Sequence, residues 1–290
     1  MRGVHDEARA PAHVHHHDPA SHGWLADAVV WAPSVLLLTL LVGGYLALVS
    51  RRAGTTGRRW RRRRTAAWVV GAALLALGFS PALHAAAHAG PRGHMVQHLL
   101  LGMYAPVGLV LAAPVTLLLG AAGAPGRRRI AAVLGSRPVG MLTHPLVATV
   151  VDVGGLCVLY LTGLYAASVG NGALHLAINV HLVLAGSLFT WAIVRPDPAP
   201  HPRSLGLRAT ALVLAAAAHA VLAKALYAQA PALPPGAGLP RAELEGAAVL
   251  MYYGGDLAEL AVAVALFAAW YRAQGLALRR ARRAWPMIGA

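Results

Sequence analysis

The sequence predicts an all-α membrane protein, a polytopic bundle of seven transmembrane helices. Of its 290 residues, 58% are hydrophobic and 12% are charged, whereas a soluble domain carries about 25% charged residues. Seven apolar runs have roughly the 20 residues that a helix needs to cross a bilayer core. These runs cover residues 28–49, 66–88, 94–119, 144–166, 173–194, 206–228 and 247–271.

The arginines between the runs predict the orientation of the bundle. Twenty arginines lie after the first, third and fifth runs and in the C-terminal tail, and four lie in the alternate segments. Cytoplasmic loops carry the excess of basic residues, so we expect the N-terminus outside and the C-terminus in the cytoplasm. An odd number of membrane-crossing runs likewise places the two termini on opposite sides of the membrane. The net charge of +15 therefore indicates topology, and we expect no nucleic-acid partner.

The segments outside the bundle are polar. Residues 1–27 are rich in histidine and are predicted to form a disordered extracytoplasmic tail. Such a tract can collect Cu or Zn weakly, or it can be a bias of composition without function. Residues 272–290 form a basic cytoplasmic tail. A single cysteine, Cys157, lies inside an apolar run, which excludes a disulfide framework and a cysteine-based metal motif.

Two histidine pairs flank the short turn between the second and third runs. His84 and His88 end the second run, and His94 and His98 open the third. Side chains four residues apart project from one helix face, and two such imidazoles can share a metal ion. Because the turn GPRG is short, the two helices must be antiparallel neighbours. We therefore expect the four imidazoles to approach one another on the outer side.

Further polar side chains lie in the fifth to seventh runs. His175 opens the fifth run and His181 lies deeper, about 120° away around the helix, so the two cannot face one site. His219 in the sixth run and Asp256 and Glu259 in the seventh lie at comparable depth. Ionisable groups inside a bilayer are costly and usually functional. The candidate metal ligands are thus His84, His88, His94, Met95, His98, His175, His181, His219, Asp256 and Glu259.

The residues alone leave several functions open. Imidazole binds Zn, Cu, Fe and Ni, and the thioether of Met95 adds a preference for Cu(I). Haem bound by two histidines between antiparallel helices is an alternative, as is a transporter of copper or protons with Asp256 and Glu259 as carriers. A histidine at the interface can also simply hydrate its polar tip, and Asp256 and Glu259 can simply pair with Lys224 or a histidine. No nucleophile motif is present, so we do not expect an enzyme.

The third run, HMVQHLLLGMYAPVGLVLAAPVTLLL, resembles the hallmark segment of the CtaG-like cytochrome c oxidase assembly factors, which are seven-span bacterial membrane proteins. Segments 79–84 (FSPALH), 143–150 (THPLVATV) and 175–198 are similar to further family segments in the same order. The seventh run departs from the family pattern, because its glutamine is absent. The matching residues of the third run are His94, Met95, Gln97, His98, Ala105, Pro106 and Pro114.

The resemblance implies a non-enzymatic assembly factor for haem–copper cytochrome c oxidase in the bacterial plasma membrane. Its cargo would be copper, and its partners would be oxidase subunits, other copper chaperones and the lipid bilayer. His94 and His98 would hold the ion, completed by His84, His88 or His175. The deeper polar groups would position the ion beside a partner subunit.

Overall fold

The computed structural model describes residues 23–57, 59–198 and 201–284. Most of the histidine-rich tail and residues 285–290 therefore lie outside the described residues. Within the described ranges all regular secondary structure is helical. The helices are α1 (Gly23–Thr56), α2 (Arg62–Gly78), α3 (Pro81–Ala89), α4 (Pro91–His98), α5 (Ala105–Leu111), α6 (Pro114–Ala121), α7 (Ala124–Leu134), α8 (Arg137–Leu142), α9 (Pro145–Leu161), α10 (Leu164–Val169), α11 (Gly172–Val194), α12 (Leu205–Ala228) and α13 (Arg241–Ala284), with a π-helical turn (Leu99–Tyr104) between α4 and α5.

The long helices identify a multi-pass membrane protein. Five segments are long and apolar enough to cross a membrane, with Pro91–Ala121 counted as one, and a sixth arises if α2 and α3 form one bent span. The shorter apolar helix α9 occupies the position of the predicted fourth run. Each predicted run thus coincides with an apolar helix, while the count of seven spans and their orientation stay predictions.

The predicted second run is two helices rather than one. α2 ends at Gly78, and α3 begins at Pro81 after a bend of 51°. The hydroxyl of Ser80 accepts a hydrogen bond from the backbone N–H of Leu83, and proline follows as the first helical residue. A serine cap followed by proline is a strong helix start. The bend gives α3, and the histidines on it, a direction different from that of α2.

The predicted third run is interrupted twice. The π-helical turn begins directly after His98, and π-helical turns inside α-helices are frequent at functional sites. Ala113 then adopts a left-handed conformation with φ of 54°, and α6 starts at Pro114. Asp197 accepts hydrogen bonds from the backbone N–H and the hydroxyl of Thr116. This buried carboxylate satisfies an orphan donor at the start of α6, so Pro114 and Asp197 have a structural role.

α11 holds the centre of the bundle, where it packs against α5, the π-helical turn, α9, α12 and α13. A Cβ atom added to Gly186 of α11 would overlap the carbonyl oxygen of Gly102 in the π-helical turn. The two backbones therefore touch, as small residues allow in membrane helix packing. A similar approach joins α2 and α5, where a Cβ on Gly71 would lie 2.6 Å from the backbone nitrogen of Leu109. These contacts fix the position of His98 relative to α11.

Candidate functional site

Three histidines form a cluster at the end of the bundle where α3 turns into α4. His84 and His88 lie on α3 and His175 lies on α11, and we call them the outer cluster. One ring nitrogen from each lies within 4.8 Å of the others, and no other group of three potential ligands in the described residues converges this closely. The ring centroids are 4.2 Å apart for His84 and His88 and 4.8 Å apart for His88 and His175. His84 and His88 are exposed, whereas His175 is buried.

Hydrogen bonds determine which ring nitrogen of His88 and of His175 keeps a free lone pair. The Nδ1 of His88 lies 2.9 Å from the carbonyl oxygen of His84. A carbonyl only accepts, so Nδ1 carries the hydrogen and Nε2 keeps its lone pair. The amide nitrogen of Gln97 donates to the carbonyl of Gly78 at 2.9 Å, which turns its oxygen toward Nε2 of His175, also at 2.9 Å. His175 must therefore donate through Nε2, and its Nδ1 stays free.

The outer cluster has the chemistry of a metal site. Histidines that bind metals commonly donate their second N–H to a carbonyl or a side chain, as His88 and His175 do. Metal–nitrogen bonds of about 2 Å keep the donor nitrogens of one ion within about 4 Å of one another. A spacing of up to 4.8 Å is close to that requirement.

His94 and Met95 lie next to the outer cluster without joining it. The ring of His94 is buried, 5.8 Å from that of His175 and edge-on to Tyr165 at 4.8 Å. Its Nε2 has no hydrogen-bond partner among the described residues. The sulfur of Met95 lies 3.9 Å from the hydroxyl of Tyr160. His94, Met95, Tyr160 and Tyr165 line a small cavity of about 20 Å³.

His98 faces a different cavity, deeper in the bundle. This inner cavity of about 30 Å³ is lined by His98, His219 of α12, Glu259 of α13 and Asp152 of α9, among other residues. Nδ1 of His219 lies 3.5 Å from Oε1 of Glu259, without the alignment of a hydrogen bond. His98 and His219 are each 2% exposed. Neither ring has a hydrogen-bonded nitrogen within the described part of the chain.

Asp152 is the one ionisable side chain lining the inner cavity that sequence reasoning missed. It carries the same signal as the other candidates, since it is a carboxylate inside the apolar run VATVVDVGGL. An ionisable group in such a run is costly in a bilayer.

Two candidate ligands join neither group. His181 is exposed on α11 and packs onto Gly155 of α9, whose added Cβ would overlap its ring. This placement agrees with the 120° separation from His175. Asp256 is exposed on α13, although its neighbour Gly255 packs under the ring of His219. The ten candidates thus separate into the outer cluster, the His94–Met95 pair, the inner cavity and two exposed residues.

The comparisons with known proteins cover the helices that carry these groups. Residues 43–273 match the model of the family described as cytochrome c oxidase caa3 assembly factor (Caa3_CtaG). Uncharacterized proteins of Mycobacterium bovis and Mycobacterium tuberculosis are each 33% identical over 195 residues, which is 63% of this chain and 29% of the relative. An uncharacterized protein of Mycobacterium leprae is 32% identical over 184 residues, 61% of this chain and 27% of the relative.

The chain spans less than a third of the length of these curated relatives. None of the solved structures gives a significant match. The family match, in contrast, covers α2 to α12 completely, including every helix that contributes to the outer cluster, together with the C-terminal part of α1 and most of α13. The chain belongs to the family of cytochrome c oxidase caa3 assembly factors.

Proposed function

We propose that this protein is a non-enzymatic assembly factor that binds copper at the outer cluster and delivers it to a subunit of haem–copper cytochrome c oxidase. The observation that carries the proposal is the convergence of the imidazoles of His84, His88 and His175, combined with membership of the family. Copper is here the cargo of the protein, bound and then released.

The donor set fits copper. Three imidazoles suit copper as well as zinc, and a thioether nearby favours Cu(I). Met95 provides such a thioether next to His94, whose ring adjoins His175. The hydrogen bonds to His88 and His175 keep one ring nitrogen of each free for an ion. Copper can therefore bind without a cysteine ligand.

The mixed exposure of the outer cluster suits an ion that must be passed on. His175 is buried and held by Gln97, so it is a fixed anchor. His84 and His88 are exposed on the nine-residue helix α3, where an incoming protein can compete for the ion. The predicted orientation places this end outside the plasma membrane. There an oxidase subunit or another copper chaperone has access to the cluster, and the histidine-rich tail is a further collector of ions.

A copper or proton transporter is the second candidate. It is favoured by the succession of His175, His94 and His98 from the outer cluster toward the inner cavity. Reconstituted vesicles distinguish the two functions. A transporter accumulates copper or protons inside vesicles in the absence of any oxidase, whereas an assembly factor does not.

Metal analysis of the purified protein tests the proposal. We expect His175→Ala to lose one equivalent of copper relative to the wild type. The matched control is His181→Ala, which removes an exposed imidazole from the same helix. Equal copper content in the wild type and His175→Ala would overturn the copper site. In cells, deletion of the gene should leave an oxidase with haem but without copper, and His181→Ala should restore the copper whereas His175→Ala should not.

A further inference from the structure

The inner cavity collects four ionisable side chains from four different helices. We infer that it is a second metal site, which takes a divalent transition-metal ion through the imidazoles of His98 and His219 and the carboxylates of Glu259 and Asp152. The inner site would bind such an ion whether or not the outer cluster carries copper. If the outer cluster binds copper as proposed, the inner site gives the protein a second ion, bound by nitrogen and oxygen donors.

The two imidazoles are buried without a hydrogen bond. His98 and His219 are each 2% exposed, and all four of their ring nitrogens lack hydrogen-bond partners among the described residues. A buried polar group without a hydrogen bond destabilises the fold. Apolar side chains of similar size would avoid this cost, yet both imidazoles line the same cavity. A metal ion between them would accept the lone pairs that the protein leaves unpaired.

Two carboxyl groups on the other side of the cavity can balance the charge of a cation. Glu259 and Asp152 both line the cavity. Two carboxylates in a medium of low dielectric constant repel each other and are poorly solvated. A divalent ion balances both charges, and neutral imidazoles add none. The site with its ion is then electrically neutral, which a site buried in a membrane protein requires.

The size and donors of the cavity indicate which ion fits. A cavity of about 30 Å³ has room for about two water molecules, or for one ion that keeps a water ligand. Two nitrogen and two oxygen donors suit Cu²⁺, Zn²⁺ or Co²⁺ better than Cu(I), which prefers sulfur. No three of the donor atoms in the inner cavity lie within 4.8 Å of one another, as those of the outer cluster do, so the inner side chains must move to bind an ion. We therefore expect weaker binding at the inner site than at the outer cluster.

The two sites are distinct in space. His94 borders the outer cluster and His98 borders the inner cavity, one helical turn or about 6 Å further along α4. On α11, Leu182 lines the inner cavity and lies about 10 Å beyond His175. The ligands of one site can thus be removed without touching those of the other.

Titration with Co²⁺ tests the inner site in a variant that lacks the outer cluster. The starting protein carries His84→Ala, His88→Ala and His175→Ala, and visible absorption together with metal analysis reports bound Co²⁺. We expect one equivalent of Co²⁺ to remain. Adding Glu259→Gln should weaken its binding at least tenfold. The control is Asp256→Asn, which removes an exposed carboxylate three residues away and should change the affinity by less than twofold.

Each outcome bears on one site only. Absence of bound Co²⁺ in the starting variant, or full retention after Glu259→Gln, would overturn the inner site. His219→Ala should also abolish Co²⁺ binding. If His219→Ala does not fold, Glu259→Gln is the deciding variant, because glutamine keeps the shape of the glutamate side chain. Failure of the proposed copper function would instead appear as unchanged copper content in His175→Ala, which leaves every inner ligand in place.

Discussion

Gln97 positions a ligand of the outer cluster without being able to bind the ion itself, and replacing it with leucine tests that role. Gln97 is 1% exposed, and its amide makes two hydrogen bonds of 2.9 Å, to the carbonyl of Gly78 and to Nε2 of His175. Leucine has a similar size and makes neither bond. The ring of His175 then loses the contact that fixes its orientation and its free Nδ1.

The expected effect on copper affinity can be taken from metal-binding histidines that lose a hydrogen-bond partner. Loss of a hydrogen bond to a metal-binding histidine typically costs 10- to 100-fold in affinity, or about 1.4–2.8 kcal/mol. The affinity of Gln97→Leu should fall by this amount in competition with a chelator of known affinity. The change also leaves two buried groups unpaired, at about 1–3 kcal/mol each, so thermal unfolding should be measured in parallel.

A comparison with His175→Ala distinguishes loss of the ligand from loss of its orientation. Removal of the ligand should abolish binding at the outer cluster, whereas removal of its orienting partner should weaken binding and leave the stoichiometry unchanged. An unchanged copper affinity in a folded Gln97→Leu protein would refute the reasoning, since His175 would then need no fixed orientation. Retention of the affinity by His175→Ala as well would remove the site altogether.

Three further predictions concern the fold. Gly186→Ala should yield little folded protein, because its Cβ overlaps the backbone of the π-helical turn. A Cβ added at Gly172 meets nothing within 4 Å, so Gly172→Ala should give the normal amount of folded protein on size-exclusion chromatography. Asp197→Ala should lower the free energy of unfolding by about 0.5–2 kcal/mol, the range for loss of a helix cap, as measured by thermal unfolding. A cysteine at Ala89 should react with an impermeant thiol reagent in intact cells, and one at Ala124 only after permeabilisation; the reverse pattern would contradict the predicted orientation.

Hydropathy was sufficient to locate the helices but not their interruptions. The length and apolar character of a run report the membrane directly, so the predicted runs coincide with helices. The breaks depend on single residues and on distant partners. Ser80 and Pro81 form a recognisable helix start, but the left-handed turn at Ala113 is supported by Asp197, far along the chain. No local pattern contains that contact.

The candidate site was predictable within one helix and not between helices. Spacing alone indicated that His84 and His88 share a face, because the helical repeat fixes neighbours four residues apart. It did not indicate that His175 of α11 completes their cluster, nor that His98 points away from it. Those outcomes depend on how α11 packs against the π-helical turn, which is set by the close contact of Gly186 and Gly102.

The segment His94–His98 shows how one helical turn serves several contacts. Its four buried residues lie at positions one, two, four and five of the turn, so they share one broad face of α4 and reach different partners at different heights along it. His94 faces the ring of His175, Met95 the hydroxyl of Tyr160, Gln97 the imidazole of His175, and His98 the inner cavity.

Val96 completes that turn, and it is 37% exposed. Its side chain points out of the bundle, away from the outer cluster and the inner cavity, so Val96→Leu should change neither the copper content nor the thermal stability. Each of the four flanking positions should be sensitive to substitution. Comparable loss of copper at Val96 and at His94 would mean that the helix as a whole, rather than the direction of each side chain, determines metal binding.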